Sequence, residues 1–408
     1  MATENNFLDS TLVARETLRL LHADLSFVGS ITRTYSDEFA QKGAKVGEKV
    51  QVRIPNRFKG REGRMYDRSV IRERSIDVVL DRQKGVDLSF TSEDLTLDID
   101  AFSDRFLRPA AKQLATHIEW DVLSLAHRVG QAVLCPAHGP GVGEVLKGRR
   151  YLDDSLAPPS GRRGLFCPAH VRSLTQSIRD QYNPASTIAK VYEDRAFSRL
   201  SGFQFSDTTV MPPIVSGEGA PGGPLATLEE EITGNSQSSC VLVFSSEDRT
   251  KMNPGDCFAF KGVYAVHPET KVPYSYLKQF SVVSIKDDGT VVFTPEIDTR
   301  SVYKNVSIER SGRADVIAAG TEVFKAFPAA GFMESSLLYH PDAFAFVTAD
   351  LEVPRGVDFA ARESHDGISM RLVRDYDGKS DQMLCRFDVL YGYGLLDESL
   401  ACRLVSQG

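Results

Sequence analysis

The sequence predicts a mixed α+β fold with an inserted antiparallel β-barrel domain, and three observations carry that prediction. Apolar residues recur every three or four positions between Phe102 and Val133, which is the spacing of one face of an α-helix. A proline- and glycine-rich stretch at 211–235 precedes short alternating strands at 240–296, with no helical pattern between the strands. Alternating strands return between 368 and 405.

Length and composition are those of an ordinary globular protein. A chain of 408 residues is long enough for two or three domains, and 42% apolar with 25% charged residues is the usual mix. The net charge of −7 argues against a general nucleic-acid binder, which needs a surplus of Lys and Arg to neutralise phosphates. No apolar run approaches the about 20 residues of a membrane-spanning helix. The six cysteines lie far apart and no secretory signal opens the chain, which predicts free thiols in a reducing cytosol.

Residues 1–42 are predicted to form an N-terminal arm. Ser10 and Thr11 precede a short amphipathic pattern that includes Leu12 and Leu20. A helix of this length cannot bury a core of its own. We therefore expect it to lie on another surface, either of the same chain or of a neighbouring copy.

Residues 43–90 are predicted to combine short strands with a charged, glycine-bearing segment. Three segments alternate apolar and polar residues as half-buried strands do: 50–54, 76–80 and 86–90. From Lys42 to Lys84 there are 13 Lys and Arg against 6 Asp and Glu, although the whole chain is acidic. Two interpretations remain open. The charged part is either a solvated hairpin loop or a projecting arm whose charges meet complementary charges on a partner subunit.

Residues 96–134 are predicted to contain a long structural helix. A short helical lead-in is expected at 102–108, because Pro109 suits the first turn of a helix and would kink its interior. The main helix is predicted over 109–134, with a length of about 39 Å at 1.5 Å per residue. Pro136 and the glycine-rich sequence GPGVG then end it.

The segment after the proline- and glycine-rich stretch 211–235, which indicates a linker or domain boundary, is predicted to be a β-rich domain. Its predicted strands are 240–244, 257–266, 279–285 and 290–296. Asp288 and Gly289, between the last two strands, give a strong hairpin signal. Strands at short intervals without intervening helices indicate a small antiparallel barrel or sandwich.

The segments on either side of this insert are predicted to be mixed. A strand at 165–168 leads into a helix, and a second helix is predicted at 185–200. After the insert, 336–340 is predicted to be a strand. Pro341 is then predicted to open a helix through AFAFVTADL, and alternation from Ile368 onward predicts the closing strands.

Two Cys-Pro-Ala-His segments are the main candidates for chemistry. Cys135–His138 and Cys167–His170 together offer the two cysteines and two histidines of a tetrahedral zinc site. Each segment also lies at an ordinary helix boundary, which needs no metal. The sequence has no nucleotide-binding loop, serine-hydrolase elbow, HExxH motif or dinucleotide fingerprint. It therefore predicts no enzyme and no cofactor, with a zinc-dependent enzyme on the two segments as an alternative.

Three segments, taken in order, resemble the major capsid proteins of tailed double-stranded DNA phages. They are the arginine-rich hairpin followed by DRFLRPAAKQLATHIEWDVLSLA, the β-rich insert, and SSLLYHPDAFAFVTADLEVP with the later RLVRDYDG and CRFDVLYGYGLLDESLACRL. The chain is most similar to the P22-like coat proteins of the HK97-type fold, over nearly its whole length. The resemblance implies an N-terminal arm at 1–42, an extended loop at 43–95, a peripheral-domain spine helix at 96–134, an axial domain at 135–217, the barrel at 218–331, and a second axial and peripheral part at 332–408.

The resemblance also implies a function and a set of partners. The expected function is self-assembly, through hexamers and pentamers, into an icosahedral shell that encloses a double-stranded DNA genome without sequence-specific contact. A separate scaffolding protein is expected because no long helical segment precedes the arm. A portal protein and a decoration protein are further candidate partners, and no membrane is expected. The location would be the virion, after assembly in the host cytoplasm. An encapsulin-type cellular shell protein is the alternative.

Basic residues of the hairpin are the predicted inter-subunit contacts. Guanidinium groups bind carboxylates bidentately and therefore suit acidic groups on a neighbouring copy. The candidates are Arg57, Lys59, Arg61, Arg64, Arg68, Arg72 and Arg74. No catalytic, cofactor-binding or metal-binding residue is predicted.

Overall fold

The computed structural model places the described residues in two compact units. The described residues are 10–36, 47–58, 74–91, 103–181, 199–219, 224–233, 237–244, 251–286, 289–308, 316–327, 331–378 and 382–408. Unit 1 comprises Met1–Ile54, Arg74–Leu123 and Phe344–Leu396, and unit 2 comprises Pro55–Glu73, Ser124–Ala343 and Asp397–Gly408. Within the described part of the chain, no helix is both long and apolar enough to cross a membrane.

Helices are few in the described residues. The α-helices are α1 (Ser10–Asp24), α2 (Arg108–Leu123), α3 (Val142–Asp154) and α4 (Pro168–Gln181). A π-helix covers Ser103–Leu107, and short 3-10 helices cover Val28–Ser30, Ser124–Arg128, Pro341–Ala343 and Glu398–Leu400.

Strands form most of the regular structure. Those before the barrel are β1 (Thr32–Ser36), β2 (Glu48–Ile54), β3 (Arg74–Leu80), β4 (Arg82–Thr91), β5 (Ala132–Leu134), β6 (Arg163–Phe166), β7 (Arg199–Leu200), β8 (Phe203–Asp207) and β9 (Ile214–Ser216). The barrel region holds β10 (Pro224–Leu228), β11 (Gln237–Phe244), β12 (Cys257–Val266), β13 (Pro273–Ile285), β14 (Thr290–Ile297), β15 (Val306–Ile308) and β16 (Glu322–Lys325). The remaining strands are β17 (Gly331–Tyr339), β18 (Phe344–Ala349), β19 (Phe359–His365), β20 (Ile368–Asp377), β21 (Gln382–Leu395) and β22 (Ala401–Gln407).

Unit 1 is built on a mixed sheet with the order β1-β18-β21-β20-β19, and β4 also pairs with β21. β1 runs parallel to β18, whereas β4, β18 and β20 run antiparallel to β21. The helices α1 and α2 pack against each other, α1 also contacts β19, and α2 contacts β4. The helices bury one apolar face each, which includes Ala14 and Leu18 of α1 and Ala111 and Ile118 of α2.

Unit 2 contains a second mixed sheet, with the order β5-β22-β17-β6-β8-β7 and with β9 also paired to β17. The helices α3 and α4 contact this sheet. Val145 of α3 and Leu174 of α4 share one buried cluster with Leu338 of β17 and Leu404 of β22. The apolar face of each helix therefore packs against the sheet. The predicted order of strand then helix is confirmed, with β6 ending at Phe166 and α4 beginning at Pro168.

The barrel of unit 2 is a closed ring of six strands. β12, β13, β14, β11, β10 and β16 pair in that order, β16 returns to β12, and β15 pairs with β12 beside the ring. Its core includes four phenylalanines with ring centroids 5.4–6.4 Å apart, a range that suits edge-to-face packing: Phe258, Phe260, Phe280 and Phe293. The predicted α+β fold with an inserted antiparallel barrel is confirmed.

The helix predicted over 109–134 is wrong in its second half. α2 ends at Leu123, the 3-10 helix Ser124–Arg128 follows, and β5 then pairs in parallel with β22. Gly130 is a poor helix former and separates the two kinds of structure. The apolar spacing of a helix extends through Val129 and Val133 in the sequence because both residues are buried. Val133, however, is buried as a residue of strand β5 and not of a helix.

The helix predicted after Pro341 is also wrong. Pro341–Ala343 forms a 3-10 turn, and the following AFAFVTADL contains strand β18, whose residues are all buried. β18 lies between β1 and β21 in the sheet, and because all six of its residues are buried, neither face of the strand meets solvent. A fully buried strand shows no polar alternation, so its sequence looks like that of a buried helix.

Smaller differences concern the boundaries of elements. The lead-in predicted at 102–108 is the π-helix, and the stretch at 211–235, predicted to be a linker or domain boundary, contains β9 of the mixed sheet and β10 of the barrel. The helix predicted at 185–200 lies outside the described residues except for its last two positions, which form β7. The strands predicted at 50–54, 76–80, 86–90, 240–244, 257–266, 279–285, 290–296 and 336–340 are confirmed.

Candidate assembly elements

The base of the extended loop is the two-stranded sheet formed by β2 and β3. The strands pair in antiparallel register along their whole length. The residues of one face are buried in a cluster with residues of β18 and β21: Val50, Val52, Val78 and Leu80. The other face carries charge, and Lys49 Nζ lies 3.6 Å from Asp77 Oδ2. A single apolar face therefore anchors the base of the loop on unit 1.

Two glycines of β21 allow β3 to approach this closely. A Cβ at Gly392 would lie 2.3 Å from the carbonyl oxygen of Val79, a distance that real Cβ atoms essentially never show. A Cβ at Gly394 would lie 3.2 Å from Val78 Cγ2, which is tight but faces a side chain. Position 392 therefore accepts only glycine while β3 keeps its place.

The structure describes two of the seven predicted inter-subunit residues. Arg57 Nη2 lies 3.6 Å from Asp397 Oδ2 of the same chain, and both side chains are about a third exposed. Arg74 is the first residue of β3. The others lie outside the described residues: Lys59, Arg61, Arg64, Arg68 and Arg72. An inter-subunit contact of Arg57 would have to compete with its pair to Asp397.

The N-terminal helix α1 docks on its own unit. Leu18 and Leu21 are buried, and α1 contacts α2 and β19. On the polar side, Arg15 Nε lies 3.4 Å from Glu363 Oε1, and His22 Nε2 lies 2.9 Å from Asp366 Oδ2. Of the two surfaces that the sequence left open for this helix, the structure shows the one on the same chain.

A buried carboxylate fixes the turn that follows α1. Glu119 of α2 is 3% exposed and accepts hydrogen bonds from the backbone N–H of Phe27 (2.6 Å) and Val28 (3.3 Å) and from Ser26 Oγ (3.1 Å). Burial raises the pKa of Glu119, and the hydrogen bonds oppose that shift. One side chain thus ties α2 to the start of the 3-10 helix Val28–Ser30.

A buried ion pair lies where the chain enters and leaves the barrel. Lys325, the last residue of β16, has its Nζ 3.3 Å from Asp256 Oδ2, and both side chains are fully buried. Lys325 also donates to the carbonyl oxygen of Gly217 at 2.5 Å. The Asp256 carboxylate accepts hydrogen bonds from Ser216 Oγ (2.9 Å) and from the N–H groups of Gly217 (3.0 Å) and Asn253 (2.9 Å). Burial lowers the pKa of Lys325, and Asp256 opposes that shift.

Arg403 of β22 is a second buried cation in unit 2. Its guanidinium donates to the carbonyl oxygen of Gly255 at 2.9 Å, to Ser281 Oγ at 3.2 Å and to Cys257 Sγ at 2.7 Å. Its Cζ also lies 5.4 Å from the ring centroid of Phe327. Arg403 therefore joins the mixed sheet to barrel strands β12 and β13.

Glu398 and Lys278 make a third buried contact of this kind. Lys278 Nζ lies 3.4 Å from Glu398 Oε1, and both side chains are largely buried. Burial raises the pKa of Glu398 to about 7, although Lys278 acts in the opposite direction. A carboxylate in this position titrates close to neutral pH.

The sequence analysis did not identify these buried charged residues, which are Glu119, Asp256, Lys325, Glu398 and Arg403. The sequence alone does not show whether a charged residue is buried. One signal was available in β16, where Lys325 lies two residues after buried Val323 and therefore faces the same side of the strand.

The two Cys-Pro-Ala-His segments do not form the predicted four-ligand zinc site. Cys135 is buried and its thiol donates to the carbonyl oxygen of Val133 at 3.5 Å, whereas His138 is exposed. Cys167 and His170 instead meet Glu334, and the potential ligand atoms of these three residues lie within 4.8 Å of one another. A zinc enzyme that uses both segments is therefore wrong for this structure.

One protein family matches the chain. Residues 230–401 match the family described as P22 coat protein, gene protein 5. The matched segment begins inside the barrel region and ends at the first residue of β22. No curated protein matches the chain.

Three of the solved structures that are similar to this chain are described as phage structures. The one described as Mycobacterium phage Che8 is 10% identical, with 93% of this chain and 90% of that chain covered and a TM-score of 0.42. Gordonia phage Cozz is 9% identical, with coverage of 94% and 87% and a TM-score of 0.42. The capsid structure of cyanophage P-SCSP1u is 8% identical, with coverage of 90% and 85% and a TM-score of 0.41.

Proposed function

We propose that this chain, a phage major capsid protein of the P22 coat type by its family match over residues 230–401, builds an icosahedral shell of hexamers and pentamers around double-stranded DNA. The match carries this proposal because one continuous matched segment includes barrel strands β11–β16 as well as strands β18–β21 of unit 1. It agrees with the resemblance that the sequence itself indicates.

The extended loop supports contact between copies. Its base is fixed by the apolar face of β2 and β3, whereas the connecting residues 55–73 hold six Lys and Arg against three Asp and Glu. A charged segment on a fixed base suits carboxylates of a neighbouring copy, because charge pairing sets register and partner choice. The basic residues of this segment are therefore our candidates for inter-subunit contacts.

Exposed apolar residues of unit 2 support the same proposal. Phe332 of β17 is 69% exposed and lies directly opposite Val215 of β9, which is 49% exposed. Partners across a strand pair point to the same face of the sheet, so the two side chains form one apolar patch. A patch of this kind gains free energy when a second copy covers it.

Further partners follow from the shell. A separate scaffolding protein would direct assembly in the host cytoplasm, a portal protein would replace one vertex, and a decoration protein could bind the finished virion. The chain would have no enzymatic role.

The net charge of −7 supports a wall that does not bind packaged DNA tightly.

Electron microscopy of the purified protein, with and without its scaffolding protein, tests the proposal. We expect closed particles of uniform diameter whose reconstruction shows hexamers and pentamers. Monomers alone under every assembly condition would contradict it.

Charge reversal in the loop tests the proposed contacts. Arg61→Glu with Arg64→Glu should leave the melting temperature of the monomer within a few degrees of wild type, because surface substitutions cost little stability. The same variant should lose assembly or form aberrant particles. Lys286→Glu, an exposed charge reversal after β13, is the control and should assemble normally. Normal particles from the double variant would exclude these two residues as essential contacts.

A further inference from the structure

A compact group of metal-ligating side chains lies under the start of α4. Cys167 immediately precedes this helix and His170 lies in its first turn, so both face the same side three residues apart. Glu334 belongs to β17, which pairs with β6, the strand that leads into α4. The potential ligand atoms of Cys167, His170 and Glu334 lie within 4.8 Å of one another.

Two serines position the histidine ring in this group. His170 is fully buried, its Nδ1 lies 2.7 Å from Ser336 Oγ, and its Nε2 lies 2.8 Å from Ser406 Oγ. Ser406 lies directly opposite Glu334 in the pairing of β17 with β22. A hydroxyl can donate or accept, so one serine can hold one ring nitrogen while the other nitrogen binds a metal. Metal-bound histidines usually have such an outer hydrogen bond.

We propose that Cys167, His170 and Glu334 form a binding site for a divalent zinc-like cation in unit 2. One sulfur, one imidazole nitrogen and one carboxylate oxygen are a donor set that zinc accepts, with water or another small ligand in the fourth position. This inference is independent of assembly, because all three residues belong to one chain and one unit.

The geometry requires only a small contraction on binding. Zinc bonds of about 2.0–2.3 Å bring neighbouring tetrahedral ligand atoms to about 3.3–3.8 Å from one another. The three ligand atoms therefore need to close by roughly 1 Å from a separation of up to 4.8 Å. Ser336 Oγ contacts both Cys167 Sγ, at 3.8 Å, and the His170 ring. When a metal binds, one of these two contacts would be replaced by a bond from the sulfur or the ring to the metal.

Cys167 is the ligand of this group that gives access from solvent, because it is partly exposed whereas the other five cysteines are buried. Binding of a cation at its sulfur would release the thiol proton to solvent.

Cobalt titration of metal-free protein tests the site. The near-ultraviolet charge-transfer band of cobalt bound to thiolate should appear in the wild-type protein and saturate at one equivalent, and zinc should remove it. Cys167→Ser should abolish the band. Serine is a favoured residue at a helix N-cap, so this variant keeps the start of α4 folded. Glu334→Gln should weaken cobalt binding at least tenfold.

Cys135→Ala is the matched control from the other Cys-Pro-Ala-His segment. It should keep the band, because Cys135 lies outside the three-residue group and contacts a backbone carbonyl. Absence of the band in the wild-type protein, or its persistence in Cys167→Ser, would overturn the proposal. Retention of wild-type affinity in Glu334→Gln would remove Glu334 from the site.

Discussion

Lys325 and Asp256 show how one pair of residues holds several segments of unit 2 together. The pair contacts Ser216, the last residue of β9, Gly217, which follows it, and Asn253, which precedes β12. The two charges offset each other, and both side chains also hydrogen-bond to these neighbouring groups of the protein. Taking two charges out of water is costly, so such a pair stabilises only while both partners are present.

Loss of the lysine alone should therefore be severe. Lys325→Met leaves the Asp256 carboxylate buried without its cation, and we expect the free energy of unfolding to fall by about 3–5 kcal/mol. Urea denaturation followed by circular dichroism measures this change. Adding Asp256→Asn should recover part of the loss, because the double variant no longer buries a lone charge. An unchanged midpoint for Lys325→Met would contradict the role of the pair.

Glu398 should make the stability of unit 2 depend on pH near neutrality. Its pKa in the folded protein is about 7, above the ordinary value of 4.5 expected in the unfolded chain. The contribution of Glu398 is thus fully present below about pH 4.5 and is lost as the pH rises through about 7, with a total on the order of 3 kcal/mol.

The Glu398→Gln variant isolates this contribution. Relative to that variant, the wild-type protein should lose stability between pH 5 and pH 8, because ionised Glu398 is buried at a cost that glutamine does not carry. Urea midpoints of both proteins at fixed ionic strength give the difference at each pH. A difference that stays constant or grows in favour of the wild-type protein with rising pH would contradict the prediction.

At the scale of elements, the β2–β3 hairpin is held by its fit against β21. Val50 and Val78 contribute to the apolar contact, and Gly392 provides the space for the backbone of β3. Residues 55–73 connect the two strands of this hairpin, so we expect the placement of their charges to depend on how the hairpin is held.

Gly392→Ala should unseat the hairpin. The added methyl group would clash with the carbonyl oxygen of Val79, and we expect a loss of about 1–3 kcal/mol, as for other overpacked sites. Hydrogen exchange of the β2 and β3 amides should quicken at least tenfold. Gly394→Ala is the control and should change exchange less, because its new methyl group meets a side chain that can move. Equal effects at both positions would argue against the close backbone contact.

The elements also show what the sequence could and could not predict. Alternating strands such as β14 and β20 were predictable because one face is buried and the other is not. β18 was not, because both of its faces are covered and its pattern is uniformly apolar. The end of α2 was not predictable from spacing either, since buried residues continue through Val129 into β5. The proximity of Cys167 and Glu334 depends on the pairing of β6 with β17. This pairing could not be predicted because the two strands lie far apart in the sequence.

At the scale of the whole molecule, the barrel is an insertion whose two ends meet. Ser216, before the barrel, pairs directly with Gly331, which follows it. The buried core of the barrel is drawn from residues 225–323, and its strand ring closes on itself. These properties describe a domain with a core of its own. Arg403 and a small cluster with Phe327, Met333 and Val405 nevertheless join it to the rest of unit 2.

This arrangement predicts an asymmetric result when the insertion is separated. A fragment of residues 218–331 should fold alone, with a cooperative thermal transition and dispersed amide resonances, because its six-strand ring closes around a core of its own. The remainder, with 218–331 replaced by a short glycine linker, should be much less stable, because Met333 and Val405 lose apolar cover and Arg403 loses its acceptors. An unfolded fragment together with a stable remainder would contradict this prediction, because the barrel would then need the rest of the chain in order to fold.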